Sequence, residues 1–280
     1  MSGGVDSSVA VALLKAEGHD VVGATLKIWK DEDCTREEKK TCCSLRDIED
    51  ARKVAAVLGI PHYVLNASEI FHEKIISYFL DEYTKGRTPN PCVLCNEFIK
   101  FEYMLQKARA IGCDALATGH YARIVEGEQG FSLVEAKDPA KDQSYVLFGL
   151  NQEMMNHVIF PLGEYTKEQV RQIAKKQGLG VHDKADSQEL CFVKNHDTEK
   201  YLRDALGAKI KPGDILDQSG KKCGTHRGIC FYTIGQRNRL GAFGRPMYVT
   251  AIDPVTNTIQ VGEEKALLKT ELIADNVHWV

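Results

Sequence analysis

The chain has 280 residues, 43% of them hydrophobic and 27% charged, with a formal net charge of −3; this is an ordinary globular composition, with apolar content for two packed cores, and it excludes a disordered or collagen-like chain. No apolar run approaches the roughly 18 residues a membrane span needs, and no signal-peptide pattern opens the chain, so no membrane partner and a cytoplasmic, reducing location are expected. The charge is uneven: residues 194–245 hold 11 Lys/Arg against 5 Asp/Glu, and residues 1–193 hold 23 against 29, which is either a locally solvated basic face or the footprint of a polyanion such as nucleic acid.

The chain begins "MSGGVDSSVAVALL". Ser2, Gly3 and Gly4 suit a concave turn whose N–H groups face an anion, and Ser7 and Ser8 open a helix whose N-terminus adds partial positive charge. The loop lacks the spacing and the lysine of a Walker A motif. Asp6 would repel a phosphate unless a Mg²⁺ ion stood between them. "VVGATLKIW" reads as a buried strand, "SLRDIEDARKVAAVLG" as a helix capped by Ser44 and stopped at Gly59, "IPHYVLNA" as a strand and "EIFHEKIISYFLDEYTKG" as a helix. "EFIKFEYMLQKARAIG" is a further helix and "DALATG" a short buried strand. This β–α–β alternation predicts an α/β domain with a parallel sheet covered by helices on both faces. "TKEQVRQIAKKQGL" and "DTEKYLRDALG" read as helices; from about residue 208 Gly and Pro become frequent and short strands such as "MYVTAID" and "TIQVG" flank a turn at Asp253-Pro254 and Asn257. A second, small β-rich domain is expected there. The boundaries drawn are 1–205 for the nucleotide domain, 206–272 for the β-rich domain and 273–280 for the start of a further strand.

Nine cysteines, an odd number, do not suggest a disulfide framework in a reducing compartment. Two stand three apart in "GRTPNPCVLCNEFIKF". A zinc site would need two further ligands at paired spacing, which the sequence does not obviously supply. The prolines stiffen this loop, and a helix expected from about Asn96 places Cys95 near a helix N-terminus, which favours the thiolate. Cys191, in "DKADSQELCFV", stands among carboxylates and ahead of two apolar residues, and Cys113 reads as packing.

"SGGVDSS" looks like the loop of ATP pyrophosphatases, enzymes that cleave between the α- and β-phosphates. Together with "CCS" at 42–44, "GRTPNPCVLCN", "ATGHYAR", "KDQSYVL" and "DSQELCFV", it resembles the tRNA-uridine 2-sulfurtransferase family (tRNA-specific 2-thiouridylases, MnmA/TrmU) over nearly the whole chain. The resemblance implies an adenine-nucleotide alpha-hydrolase-like (PP-loop ATPase) domain. Its reaction would be ATP-dependent 2-thiolation of the wobble uridine of tRNA: ATP adenylates the 2-oxygen, and a cysteine persulfide then delivers sulfur. By motif, Ser2, Gly3, Gly4, Val5, Asp6, Ser7, Leu26 and Gly119 would bind ATP with Mg²⁺. Cys191 would carry the persulfide and Cys95 resolve it into a transient disulfide. Asn90, Pro91 and Cys92 would meet the target base; many members have Asp in place of Cys92, which leaves the general base open. Three thiols, Cys92, Cys95 and Cys191, could alternatively hold a 4Fe–4S cluster. His120, Lys141, Asp142 and Gln143 would contact tRNA, against a structural reading of each. The partners implied are tRNA and a cysteine desulfurase or sulfur-relay protein.

Family members carry a strand ahead of the phosphate loop, where this chain has only Met1, and a longer C-terminal β-barrel. Two rival readings follow. A synthetase-type pyrophosphatase forming an amide or guanidino bond would keep the loop but have no use for three thiols. A non-catalytic iron–sulfur or tRNA-binding protein would bind tRNA without ATP. "RGICFYTIGQRNRLG" interleaves Arg227, Arg237 and Arg239 with Phe231 and Tyr232, which suits RNA backbone and exposed bases, or equally a β-domain core.

Overall fold

The structure, a computed structural model, describes residues 1–29, 45–186, 190–193, 197–241, 243–274 and 277; Cys34, Cys42, Cys43 and the expected cap Ser44 lie outside them. Two compact units emerge, one of Met1–Ile75 with Cys92–Phe192, the other of Ile76–Pro91 with Val193–Val277.

In the first unit, helix α1 (Val5–Ala16) carries Asp6 in its first turn and Lys15 in its last, the arrangement that complements the helix dipole. Its Val5, Val9 and Ala10 pack with Val54, Leu162, Val170 and Leu179, so the phosphate loop sits on a helix fixed by its own core. Strand β1 (Gly23–Lys27) follows, then α2 (Leu45–Leu58) and β2 (His62–Asn66), which pairs with β1 in parallel, Gly23 opposite His62. Met1 lies against β1: its amine donates to Ala24 O and its carbonyl accepts from Thr25 Oγ1 at 2.6 Å. After α3 (Ser68–Phe71) comes a π-helical stretch, His72–Ile76, and then α4 (Ser77–Thr84).

The cysteine segment is helical from its proline onward. A short helix, α5 (Pro91–Leu94), runs into a nine-residue π-helix, Cys95–Tyr103, and then α6 (Met104–Ala110). Strand β3 (Leu116–Ala117) comes next, followed by β4 (Ala122–Gly127) and β5 (Gly130–Glu135), a hairpin closed by Gly127 opposite Gly130. Helix α7 (Gln152–Met155) precedes β6 (Val158–Ile159), which pairs with β3 in parallel. Helix α8 (Lys167–Lys176) starts at a capping box, in which Thr166 and Gln169 satisfy each other's backbone N–H. The α/β class and parallel pairing agree with expectation. Among the described residues of this unit the parallel strands form two pairs, β1 with β2 and β3 with β6, rather than one continuous sheet.

The second unit holds α4, α9 (Thr198–Leu206, capped by Asp197) and four strands: β7 (Gly213–Leu216), β8 (Lys222–His226), β9 (Tyr248–Asp253) and β10 (Thr258–Gly262), in the order β8-β7-β10-β9. Its core is Ile215, Tyr232, Leu240, Val249, Ile259 and Val261 among others. The expected turn between β9 and β10 is present: Asp253 accepts from Val255 N at 2.9 Å, and Asn257 takes φ 53°, a conformation asparagine tolerates. The two compact units divide at 75/76, 91/92 and 192/193. Helix α9 and residues 76–91 belong to the β-rich unit, because Phe79, fully buried, packs edge-on against Tyr83 (4.9 Å) and Tyr201 (6.1 Å). Residues 273 and 274 carry no strand, and most of 275–280 lies outside the described residues.

Candidate active site

The opening loop closes on itself through serines. Ser7 Oγ accepts from Ser2 N at 3.1 Å and donates to Gly4 O, and Ser8 Oγ donates to the same carbonyl at 2.8 Å. Gly4 occupies the N-cap position with extended backbone, and no side chain caps the helix there. The first-turn N–H groups of α1 are thus left for an anion. Two glycines make the loop possible. Gly3 takes φ +68°, and a Cβ on it would stand 2.3 Å from Asp47 O. Gly119, two residues past β3, lies so close to the first turn of α1 that a Cβ would stand 2.7 Å from both Asp6 C and Ser7 N. Lys184 fastens the loop from below, donating to Gly3 O (2.9 Å), Asp47 (2.7 Å) and Asp50 (2.8 Å). Burial pushes the Lys184 ammonium down, but its two carboxylate hydrogen bonds outweigh this and raise its pKa, so it is charged throughout the physiological range.

Asp6, the carboxylate that is out of place in an anion site, already has cations around it. Lys167 Nζ, from the first residue of α8, donates to both Asp6 oxygens at 2.8 Å, and Tyr121 OH donates to Oδ1 at 2.8 Å. Burial and the Asp6 charge push the Tyr121 phenol far upward, so it stays protonated and donates to Asp6. The same Lys167 stands 2.7 Å from Asp186, which also receives Lys141 (2.8 Å) and Arg171 (3.1 Å). Burial raises the Asp186 pKa, but Lys141 and Lys167 overcome it and hold the carboxyl below its ordinary value. Sequence reading missed Lys167, Tyr121, Lys184 and Asp186 as site residues. Tyr121, Lys167 and Lys184 lie 115 to 181 residues from the Asp6 and Gly3 groups they touch, and no local pattern marks such pairs. The donor set fits a magnesium nucleotide: Asp6 offers one carboxylate, and Mg²⁺ characteristically binds through one or two carboxylates plus substrate phosphates.

In the cysteine segment the helix starts five residues earlier than expected. Pro91 occupies its first position, where a missing N–H costs nothing. Cys92 therefore stands in the first turn, and Cys95 begins the π-helix one turn in, so the thiolate argument from a helix start applies to Cys92 rather than Cys95. Pro91 is buried, Asn90 and Cys92 are exposed, and Cys95 and Cys191 are half-buried. The residue after Cys95, Asn96, is buried and donates to Val146 O at 2.8 Å, which fixes the backbone at the start of the π-helix, a local geometry that recurs at functional sites. Beside Cys191, Phe192 is buried edge-on against Phe71 at 6.0 Å. Both half-buried thiols are thus flanked by an anchored neighbour. Among the described residues no group of three or more His, Cys, Asp or Glu is placed to hold a metal ion. Cys92, Cys95 and Cys191 are therefore not gathered as a cluster ligand set.

His120 is buried, with Phe101 and Phe160 at ring distances of 5.9 and 6.0 Å. Its Nδ1 pairs with Thr118 Oγ1 at 2.8 Å and its Nε2 with Lys100 Nζ at 3.3 Å. So enclosed, the ring braces Lys100 of the π-helix from within the unit. Burial first, and the Lys100 charge second, hold the His120 pKa well below its usual value. The unfolded chain then binds a proton that the native state refuses. Stability should accordingly fall as pH drops below about 6.5, with a slope of up to about 1.4 kcal/mol per pH unit. Urea unfolding from pH 7.5 to 5 should show a slope that falls by up to this amount in His120→Gln, the remainder coming from His62 and His226, which burial also holds below their usual values; an unchanged slope in the variant would assign it elsewhere.

Of "KDQ", Asp142 accepts from Ala136 N (2.8 Å) and Ser144 Oγ (2.6 Å), Gln143 accepts from Tyr121 N (3.0 Å), and Lys141 holds Asp186. All three organise the loop beside the Asp6 cluster. Leu26 is half-buried in β1. In the second unit Tyr232 is buried and Phe231 packs on the same core, so the two aromatics are core residues. Arg203, Arg227 and Arg239 converge on Glu199, and Arg227 and Arg239 line a cavity of about 470 Å³ with Thr225 and Phe243.

Residues 1–195 match the tRNA methyl transferase HUP domain family, and residues 199–263 its PRC-barrel domain family. Curated relatives named tRNA-specific 2-thiouridylase MnmA are similar throughout. The chain is 50% identical over 281 residues to one from Clostridium perfringens and 50% identical over 283 to one from Clostridioides difficile, covering 100% of this chain and 78% of each relative. To one from Desulforamulus reducens it is 51% identical over 284 residues, covering 100% of this chain and 77% of the relative. At half identity from end to end, with a serine-closed phosphate loop and thiols on anchored backbone, the chain belongs to the tRNA-specific 2-thiouridylase family.

Proposed function

We propose that the chain is an ATP-dependent tRNA-uridine 2-sulfurtransferase that makes 2-thiouridine at the wobble position. The observation that carries this reading is half identity over the whole chain to enzymes named as 2-thiouridylases. The phosphate loop at the start of α1 supplies what the first half-reaction needs. Its N–H groups would receive the pyrophosphate, while Asp6 with phosphate oxygens would hold Mg²⁺. Attack of the uridine 2-oxygen on the α-phosphorus forms the adenylate and expels pyrophosphate, which turns a carbonyl oxygen into a leaving group.

In the second half-reaction Cys191 carries a sulfane sulfur as a persulfide, received from a cysteine desulfurase or a relay protein. The terminal sulfur attacks C2 and AMP leaves, so that carbon and Cys191 are joined through two sulfurs. The Cys95 thiolate attacks the Cys191 sulfur. The S–S bond breaks, the product keeps the terminal sulfur as its thiocarbonyl, and the two electrons are balanced by a Cys95–Cys191 disulfide. A thiol reductant must then reopen that disulfide, which suits a reducing, cytoplasmic location. Asn90, Pro91 and Cys92 would meet the target base, and Lys141, Asp142 and Gln143 would face the tRNA. No described helix is long and apolar enough to cross a membrane. A synthetase-type pyrophosphatase would share the first half-reaction and have no use for the thiols.

The reading is tested by incubating the chain anaerobically with tRNA, Mg·ATP and a ³⁵S-loaded cysteine desulfurase. Label should appear in 2-thiouridine only when ATP is present. Absence of label while ATP is cleaved to AMP and pyrophosphate would favour the synthetase class.

A further inference from the structure

Asp186 is a meeting point of three sequence motifs that lie far apart in the chain. It stands five residues ahead of Cys191 in "DSQELC". It receives Lys141 of "KDQ" at 2.8 Å and Lys167 at 2.7 Å, and that same ammonium holds both oxygens of Asp6 in the phosphate loop at 2.8 Å. Two residues earlier, Lys184 donates to the loop carbonyl of Gly3 at 2.9 Å. The short stretch 184–186 is therefore bound to the phosphate loop twice, once through backbone and once through charge. Lys167 is well enclosed, its side chain only 12% exposed against 31% for Asp6 and 22% for Asp186. An amine so placed between two carboxylates has no third place to go, and a rearrangement at one carboxylate is felt at the other.

We propose that Lys167 and Asp186 are a positioning pair: they couple the nucleotide state of the phosphate loop, sensed at Asp6, to the placement of the segment that bears Cys191. Neither residue touches the reacting atoms in this account. Lys141 and Arg171 complete the hold on Asp186, and Asp138 accepts from the Lys167 backbone N–H at 2.9 Å, so three cations face three carboxylates. A magnesium nucleotide entering the loop would engage Asp6 and loosen it from Lys167, so the hold on Asp186 differs between the empty and the loaded loop. A sulfur carrier needs this dependence, because a persulfide presented before the uridine is adenylated meets no leaving group. The inference rests on the thiolation reading and adds to it the residues that order the two half-reactions.

The test separates positioning from a merely structural role. Asp186→Asn leaves Lys167 on both oxygens of Asp6, so the KM for ATP should stay within about threefold. The kcat for tRNA thiolation should drop at least tenfold, and Asp186→Glu should recover part of it. Loss of fold would instead weaken ATP binding together with turnover. A second readout follows the thiol directly. Cys191 alkylation by iodoacetamide, read by peptide mass spectrometry, should change at least threefold on adding Mg·ATP in the unaltered chain and by less than half that in Asp186→Asn and Lys167→Met. The pair is refuted by an Asp186→Asn enzyme with unchanged kcat, by one whose ATP binding and turnover fall in parallel, or by a Cys191 rate that still responds to nucleotide in the variants. The unaltered chain separates the two ideas. If it makes 2-thiouridine while its Cys191 ignores Mg·ATP, the coupling is wrong and the thiolation reading stands; if it makes none, both fall.

Discussion

Cys191→Ser is expected to make no measurable 2-thiouridine, a loss of at least about 10³-fold, while still cleaving ATP to AMP and pyrophosphate in the presence of tRNA. A hydroxyl cannot carry a sulfane sulfur, so the second half-reaction has no donor, whereas the phosphate loop at the start of α1 rests on bonds from Ser7, Ser8 and Lys184 that the substitution does not touch. Cys95→Ser should fail differently. Sulfur reaches C2 but the Cys191–S–S–C2 linkage is not cut, so tRNA accumulates on the protein as a covalent adduct that an added thiol releases as 2-thiouridine. Band shift on a non-reducing gel, repeated with dithiothreitol, reads this directly. The anchoring of Phe192 against Phe71 and of Asn96 onto Val146 O makes gross collapse of either segment an unsuitable explanation for loss. Full activity in Cys191→Ser with inorganic sulfide as the only donor would remove the persulfide route altogether.

The elements were legible where local chemistry decides them. The capping box at Thr166, the Asp253–Asn257 turn and the amphipathic run of α8 are short-range patterns, and each stands where the sequence places it. The hairpin of β4 and β5 escaped notice although "ARIVEGEQGFSLVE" alternates and turns at Gly127 and Gly130; the attention drawn by "ATGHYAR" and "KDQSYVL" on either side hid an ordinary pattern. The start of the cysteine helix was misplaced because two prolines read as a rigid loop, while Pro91 is in fact the first helical residue. The phosphate loop was legible as a loop, but the groups that neutralise Asp6 were not. Lys167 in α8 looked like any exposed helix lysine, and only the packing of α8 against α1 through Val170 and Val9 turns it inward. His120, the motif residue beside Gly119, is buried between two phenylalanines far from it in sequence, an environment that its neighbours in the chain do not mark.

Gly119→Ala should raise the KM for ATP at least tenfold while leaving the chain folded. The added Cβ would meet Asp6 C and Ser7 N at 2.7 Å and Asp6 O at 3.0 Å, where carbon contacts ordinarily lie near 3.5–4.0 Å. These are backbone atoms in the first turn of a helix, so no side chain can swing aside. Either the 117–120 segment or the start of α1 must move by several tenths of an ångström. α1 is held by its buried Val5, Val9 and Ala10, so the strain falls on the turn that presents N–H groups to the phosphates. Overpacking of this kind costs about 1–3 kcal/mol of stability, visible as a lower urea midpoint, and aims the loop donors away from their anion. Gly180→Ala is the control: it lies in the same unit with nothing within 4 Å of the new carbon, and it should change neither quantity. Gly3→Ala would be a poorer choice, because φ +68° and a 2.3 Å contact with Asp47 O combine conformational strain with a clash and would confound folding with binding. ATP bound by Gly119→Ala as tightly as by the unaltered chain would show that the first turn of α1 is not where the phosphates are held.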